Sequence, residues 1–238
     1  MDKQPVIFKD LGIIDYKSAW EYQENLLQEN VAIKTAARIN HSVLPVSSLP
    51  TQNYFLICEH TPVYTIGKSG SMDNVLMSEE QLAEKGIEFF KTNRGGDITF
   101  HGLQQIVGYP ILDLEKFYTD IGKYLRSMEE AIILTIAEYG ITGERSKGET
   151  GVWVQPGVPG RERKIAAIGV RCSRWITMHG FALNVNTDLD YFKNIIPCGI
   201  QNKQVTSIEK ETGAKVDLEM VKQKLKQHFE KVFEVDLV

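Results

Sequence analysis

The sequence is poor in cysteine, with only Cys58, Cys172 and Cys198 in 238 residues. Three thiols so far apart supply no disulfide framework, and no C-x-x-C pair exists for zinc. In a reducing compartment they are expected as free thiols, each a small core residue or a reactive group. No apolar run approaches the ~18 residues of a membrane span. The longest candidate, Ala131 to Ala137, is short and carries Thr135. Met1-Asp2-Lys3-Gln4-Pro5 has neither the order of a signal peptide nor the Arg/Ser-rich character of a transit peptide, so a cytoplasmic protein with no membrane partner is expected. Positive charge is not in excess: 27 Lys+Arg stand against 31 Asp+Glu, a formal net charge of −4. That balance argues against general nucleic-acid binding, since no global field exists to neutralise phosphates.

What is present fits an ordinary globular chain, 42% hydrophobic and 24% charged. The length favours one core, so a single domain over residues 1–238 is expected. Val6-Ile7-Phe8 and Tyr54-Phe55-Leu56-Ile57-Cys58 predict strands, the second lying within a covered sheet. Asp15 to about Ile39 repeats apolar residues at helical spacing, Leu44–Gln52 predicts a surface loop, and Ser78–Gly86 predicts a short capped helix. Further strands are predicted at Glu88–Lys91, Ile98–Phe100, Ile106–Leu112, Gly151–Val154, Lys164–Val170 and Ile176–Val185. Helices are predicted over Ile121–Tyr139 and Leu218–Phe233. With no regular βαβ alternation, the fold class is α+β, with a mixed or largely antiparallel sheet flanked by helices.

Several segments can carry chemistry. Gly67-Lys68-Ser69 invites a phosphate-loop assignment, but the required earlier glycine is Pro62, which excludes it. In Arg94-Gly95-Gly96-Asp97-Ile98-Thr99-Phe100-His101-Gly102, two glycines permit close ligand approach or a tight turn, with Arg94 and His101 at the ends of a hairpin; an ordinary charged hairpin explains the pattern equally. Lys164-Ile165-Ala166-Ala167-Ile168-Gly169 sets a lysine beside an apolar strand, either at its solvated end or as a partly desolvated catalytic amine. His179-Gly180-Phe181-Ala182-Leu183-Asn184 places bare backbone inside a strand, often a sign of close ligand approach. Ile196-Pro197-Cys198-Gly199-Ile200 puts a thiol on a rigid turn, which makes Cys198 a candidate nucleophile. Cys58 and Cys172 are expected as inert buried thiols. Between Gly143 and Trp175 seven Lys/Arg face three Glu, a local +4 that suits either a solvated face or a docking patch for acidic partners.

Together with Glu59-His60-Thr61-Pro62-Val63-Tyr64-Thr65-Ile66-Gly67, Gly108-Tyr109-Pro110 and Thr150-Gly151-Val152-Trp153, these segments in their order resemble the lipoyl(octanoyl) transferase family. That family moves an octanoyl group from acyl carrier protein to a lysine of a lipoyl domain. The resemblance implies a fold similar to biotin and lipoate protein ligase catalytic domains. It implies that Cys198 carries the acyl group and that Lys164 activates it. It also implies that Arg94, Gly95, Gly96, Asp97, Ile98, Thr99, Phe100, His101, Ala167, Ile168, Gly169, Gly180, Phe181 and Ala182 line the substrate pocket. No cofactor and no metal are implied. The implied partners are octanoyl-acyl carrier protein, the lipoyl domains of 2-oxoacid dehydrogenase E2 subunits and the glycine cleavage H protein. Two departures stand out: His101-Gly102 continues as Leu103-Gln104-Gln105 where the family has Pro-Gly-Gln, and Ala36–Gln52 is longer than the usual connection.

On this scheme, an apolar slot that buries six methylenes gains about 5 kcal/mol. A tail two carbons shorter loses about 1.6 kcal/mol, near fifteenfold. An ATP-dependent lipoate or biotin ligase, a papain-like Cys/His hydrolase and a non-catalytic lipoyl-domain binder are the rival assignments.

Overall fold

The computed structural model describes residues 3–40, 45, 48–196 and 204–238. Cys198 and its turn, and part of the Ala36–Gln52 stretch, therefore lie outside the described residues. The strands are β1 (Gln4–Ile14), β2 (Tyr54–His60), β3 (Val63–Ile66), β4 (Glu88–Lys91), β5 (Ile98–His101), β6 (Gln105–Ile111), β7 (Val152–Val154), β8 (Arg163–Ser173), β9 (Ile176–Asn184), β10 (Gln204–Val205) and β11 (Val235–Leu237). The helices are α1 (Tyr16–Ile39), α2 (Glu79–Glu84), α3 (Ile121–Ala137), α4 (Ile208–Thr212) and α5 (Leu218–Phe233). Side-chain caps open the helices where the sequence offers them. Asp15 accepts from Ser18 N–H, Ser78 and Gln81 form a reciprocal capping box, and Asp217 caps α5. No helix of the described residues is long and apolar enough to cross a membrane.

The large sheet runs β10-β8-β9-β6-β2-β1-β11, with β7 added to β8, and a small sheet runs β4-β3-β5. The centre of the large sheet is antiparallel, while β1 pairs in parallel with both β2 and β11. The burial of all of β2 follows from its period of two. Phe55 and Ile57 point into the core that α3 and α5 cover, where Phe229 stacks on Phe55 at 4.0 Å. Tyr54, Leu56 and Cys58 point the other way, against Ala19, Leu26 and Leu27 of α1. The small sheet has its own cluster around Tyr64, Ile98 and Phe100.

Two expectations change. Arg94–Gly102 is not a hairpin, because β4 and β5 pair with opposite edges of β3 and the loop between them crosses the end of that strand. Its backbone is stitched to Gly67-Lys68-Ser69 by Gly67 N–H to Asp97 O at 3.3 Å, Lys68 N–H to Arg94 O at 3.0 Å and Ser69 N–H to Gly96 O at 3.2 Å. The Leu44–Gln52 stretch is not wholly a surface loop: Leu49 and Thr51 are buried, and Thr51 Oγ1 donates to Asp113 at 2.7 Å. Ala36–Ile39, the start of the long connection, belongs to α1, within the helix predicted to about Ile39.

Candidate active site

A cavity of about 340 Å³ lies on the large sheet, lined mainly by apolar side chains. Of the expected pocket residues, Arg94 to Thr99, His101, Ala167, Ile168, Gly169, Gly180, Phe181 and Ala182 border it together with Lys164. Phe100 does not: it turns into the small-sheet core and stacks on Tyr191 with centroids 4.4 Å apart. Alternation along β5 sends it away from the face that His101 occupies. Tyr16, Gln105, Val107, Tyr109, Leu125, Glu149, Thr150, Phe192, Asn184 and Val205 also line the cavity. Gln105, Tyr109, Glu149, Thr150 and Asn184 fell within the segments singled out above, whereas Tyr16, Val107, Leu125, Phe192 and Val205 come from elements that no motif marks.

The glycines serve the protein's own backbone. A Cβ at Gly180 would lie 2.1 Å from Gly108 O on β6, and one at Gly169 would lie 2.7 Å from Gly95 O. The bare backbone of β9 at Gly180 is therefore required by strand packing, at a position that also borders the cavity. Gly95 N–H donates to Val170 O at 2.9 Å and docks the Arg94 loop on β8 as a roof. Arg94 pins that roof, with Nη2 donating to Thr65 O at 2.6 Å and Thr65 Oγ1 at 2.9 Å.

A hydrogen-bonded chain continues through the site. His101 Nδ1–H donates to Gln105 Oε1 at 2.9 Å, Gln105 Nε2 donates to Asn184 Oδ1 at 2.8 Å, and Asn184 Nδ2 donates to Thr206 O at 3.0 Å. His60 Nδ1–H donates to Ile14 O at 2.8 Å, which leaves Nε2 to accept from Tyr109 O–H at 2.7 Å. The imidazoles are neutral. Burial lowers His60 to about 4 and His179 to about 3, with the Arg94 charge adding at His179. Burial, then the neighbouring His60, holds His101 well below its ordinary value. His179 Nε2 meets Asn93 Oδ1 at 2.8 Å, while its Nδ1 is buried without a hydrogen-bond partner.

Lys164 sits at the partly exposed rim, opposite Trp153 of β7 and Val205 of β10 in register. Its ammonium lies 4.6 Å from the Trp153 ring centroid, within cation–π range. The turn that carries Glu149 and Thr150 beside it is fixed from below by the buried Glu129, which accepts from Gly151 N–H at 3.0 Å. Arg126 at 2.8 Å and Arg145 at 3.1 Å neutralise Glu129.

The cysteines divide as follows. Cys58 is buried, 3.5 Å from His60 Nε2, and burial pushes its thiol up, so the pair is neutral rather than a thiolate–imidazolium couple. Cys172 is exposed, contrary to the expectation of a buried thiol, yet partial burial of its sulfur still raises it. The local +4 is largely cancelled: Arg145 pairs with Glu129 and Glu130, Arg163 with Glu211, and Arg171 with Glu24. Those carboxylates lie outside the window in which the basic residues stood out.

Residues 15–230 match the family of the lipoyl protein ligase A/B catalytic domain. The octanoyltransferase of Christiangramia forsetii is 57% identical over 238 residues, covering 100% of this chain and 99% of its own. That of Flavobacterium johnsoniae is 58% identical over 231 residues, 97% of each chain. Among solved structures, a bipartite lipoate protein ligase from Thermoplasma acidophilum superposes with a TM-score of 0.68 at 16% identity, covering 100% of this chain and 86% of that one. A lipoate-protein ligase A bound with ATP gives 0.67 at 15% identity, covering 100% and 88%. A biotin protein ligase from Aquifex aeolicus gives 0.50 at 12%, covering 96% and 70%. These structures share the fold, as the family resemblance implies, and the near full-length identities are to octanoyltransferases. The chain belongs to the lipoyl protein ligase A/B catalytic-domain family, on its octanoyltransferase branch.

Proposed function

We propose that the protein is a single-domain cytoplasmic acyltransferase that moves an octanoyl group from octanoyl-acyl carrier protein, through a thioester on Cys198, to the ε-amine of a lysine on lipoyl domains. The acceptors are the E2 subunits of 2-oxoacid dehydrogenases and the glycine cleavage H protein, and the product feeds lipoate cofactor synthesis. The observation that carries this is a mainly apolar cavity whose partly exposed rim holds Lys164 and whose interior is buried. Phe192 and Val205, on either side of the segment that contains Cys198, both line that cavity. Cys58 and Cys172, both with raised thiols, are poor nucleophiles beside it. The archaeal neighbour was described together with its E2 lipoyl domain, which supports a lipoyl-domain acceptor.

The atoms balance without ATP. A free thiol is only about 3% thiolate at pH 7, so Cys198 needs a cation beside it, and Lys164 is that cation. The thiolate sulfur attacks the carrier thioester carbonyl, forming one C–S bond as the other breaks, and the departing carrier thiolate takes a proton from the Lys164 ammonium. An incoming lysine is neutral in only about one molecule in 2,500 at pH 7. The now neutral Lys164 takes its proton, the acceptor nitrogen attacks the Cys198 thioester and passes a second proton to solvent as the amide forms, and the thiolate leaves, which restores the starting ion pair.

Intact-mass analysis with octanoyl-acyl carrier protein and no nucleotide tests the proposal. One octanoyl group is expected on the wild type and on Cys58→Ala and Cys172→Ala, and none on Cys198→Ala. An adduct that needs ATP, or that survives Cys198→Ala, overturns it in favour of the ligase alternative.

A further inference from the structure

The cavity has a direction. Lys164, Leu125, Glu149, Thr150, Phe192 and Val205 at its rim are partly exposed, whereas Tyr16, Val107 and Tyr109 inside are buried. Ala167, Ala182 and Val107 fall in one register row across β8, β9 and β6, and all three line the cavity. Strands lie ~4.8 Å apart, so this floor spans about 10 Å. Nothing on it is larger than valine.

Beyond Val107 stands a knot of rings. Tyr109 lies two residues further along β6, on the same face, and moves away from the Lys164 end in the register. Tyr16 stacks nearly parallel to His101 at 6.0 Å and packs 5.4 Å from His60. The knot is fixed by its own hydrogen bonds, since Tyr109 O–H is committed to His60 at 2.7 Å and His60 to Ile14 O at 2.8 Å. Swinging the Tyr109 ring aside would break the first bond and leave the buried His60 Nε2 with only the weak Cys58 thiol donor at 3.5 Å. With its hydroxyl turned on His60, Tyr109 offers the cavity ring surface beside the Tyr16 ring, which suits a terminal methyl and closes this end of the floor.

Resting on the transferase assignment above, we propose that Tyr109, held by His60 and flanked by Tyr16, sets the upper limit of acyl chain length. Loss of buried methylenes disfavours shorter chains gradually, whereas this wall excludes longer ones.

Calorimetric titration of free hexanoate, octanoate and dodecanoate tests the wall. No bond is made, and the three acids carry the same carboxylate, so their relative affinities do not depend on acyl transfer through Cys198 and Lys164, and failure of the wall is separable from failure of the transfer scheme. The wild type is expected to prefer octanoate to dodecanoate by about tenfold or more. Tyr109→Ala is expected to erase or invert that preference, and Tyr109→Phe, which keeps the ring, to retain it. Val107→Leu, which fills the floor, is expected to shift preference toward hexanoate by several-fold. Equal affinity of the wild type for octanoate and dodecanoate overturns the proposal, and so does a folded Tyr109→Ala with an unchanged ratio. If Tyr109→Ala does not fold, Val107→Leu decides: an unchanged hexanoate-to-octanoate ratio overturns the wall.

Discussion

At the scale of single residues, Gln104 shows how this chain accommodates a departure from its family. It holds φ at +61°, the left-handed region that glycine enters freely and that costs another residue roughly 1–2 kcal/mol. The backbone path survives because local bonds over-determine it. Gln104 N–H donates to Glu59 at 2.6 Å, its carbonyl accepts from Asn186 N–H at 3.1 Å, and its side chain accepts from Asn186 Nδ2 at 2.8 Å. Gln104→Gly trades the strain for the lost side-chain bond and should stay within about 1 kcal/mol of wild type. Gln104→Val, β-branched, should lose about 2 kcal/mol or more. Urea denaturation compares them, and equal stability of the two variants contradicts the strain. The sequence marked this position as unusual, but only the bonds to Glu59 and Asn186 explain why it is tolerated, and those partners lie 45 and 82 residues away.

At the scale of elements, α1 carries information that its hydrophobic pattern hides. Gln23, Asn30 and Lys34 are buried polar residues along one side of the helix. Gln23 accepts from His179 N–H at 2.9 Å, and Asn30 exchanges bonds with the backbone of Gln52, both at 2.8 Å. Lys34 pairs with Asp113, with Glu115 at 2.6 Å and with Arg174 O at 3.0 Å. Removing Lys34 strands a buried carboxylate at Asp113. Lys34→Ala should therefore cost on the order of 3 kcal/mol, while Lys17→Ala, whose partner Glu21 is exposed at 3.9 Å, should change stability by less than about 0.5 kcal/mol. Denaturation midpoints separate the two, and equal effects contradict the buried network. The strands and both long terminal helices were legible because capping residues and alternation are local signals. β3, β10, α4 and β11 were not predicted: the last three are two to five residues long and take their order from β8, the core and β1. The supposed hairpin failed for the same reason, since strand partners are set by non-local packing that no turn motif reports.

At the scale of the molecule, the site is built around imidazoles that refuse protons, and this fixes a pH dependence. The unfolded chain binds protons at these groups near pH 6.5, whereas the folded His60 and His179 do so only near 4 and 3. Above pH 6.5 both states hold neutral rings and the stability is complete; below it the unfolded state alone gains protons, so stability falls as the pH drops toward 4. The loss should reach on the order of 3 kcal/mol from His60 alone, seen by denaturation between pH 7 and pH 4.5. A flat profile there contradicts the buried neutral imidazoles. Most of the cavity's floor and roof, Val107 excepted, came from segments legible as glycine-rich patches, but its closed end came from Tyr109 of the Gly108-Tyr109-Pro110 motif and from Tyr16, which looks like a core residue until the sheet and α1 meet. The central claim is that Cys198 carries the octanoyl group between two proteins. It is tested most directly by loading the enzyme from octanoyl-acyl carrier protein, removing the carrier, and mixing the purified acyl-enzyme with an apo lipoyl domain without nucleotide. The predicted result is one octanoyl amide on the domain for each thioester lost from the enzyme; an acyl-enzyme that persists while the domain stays unmodified contradicts it.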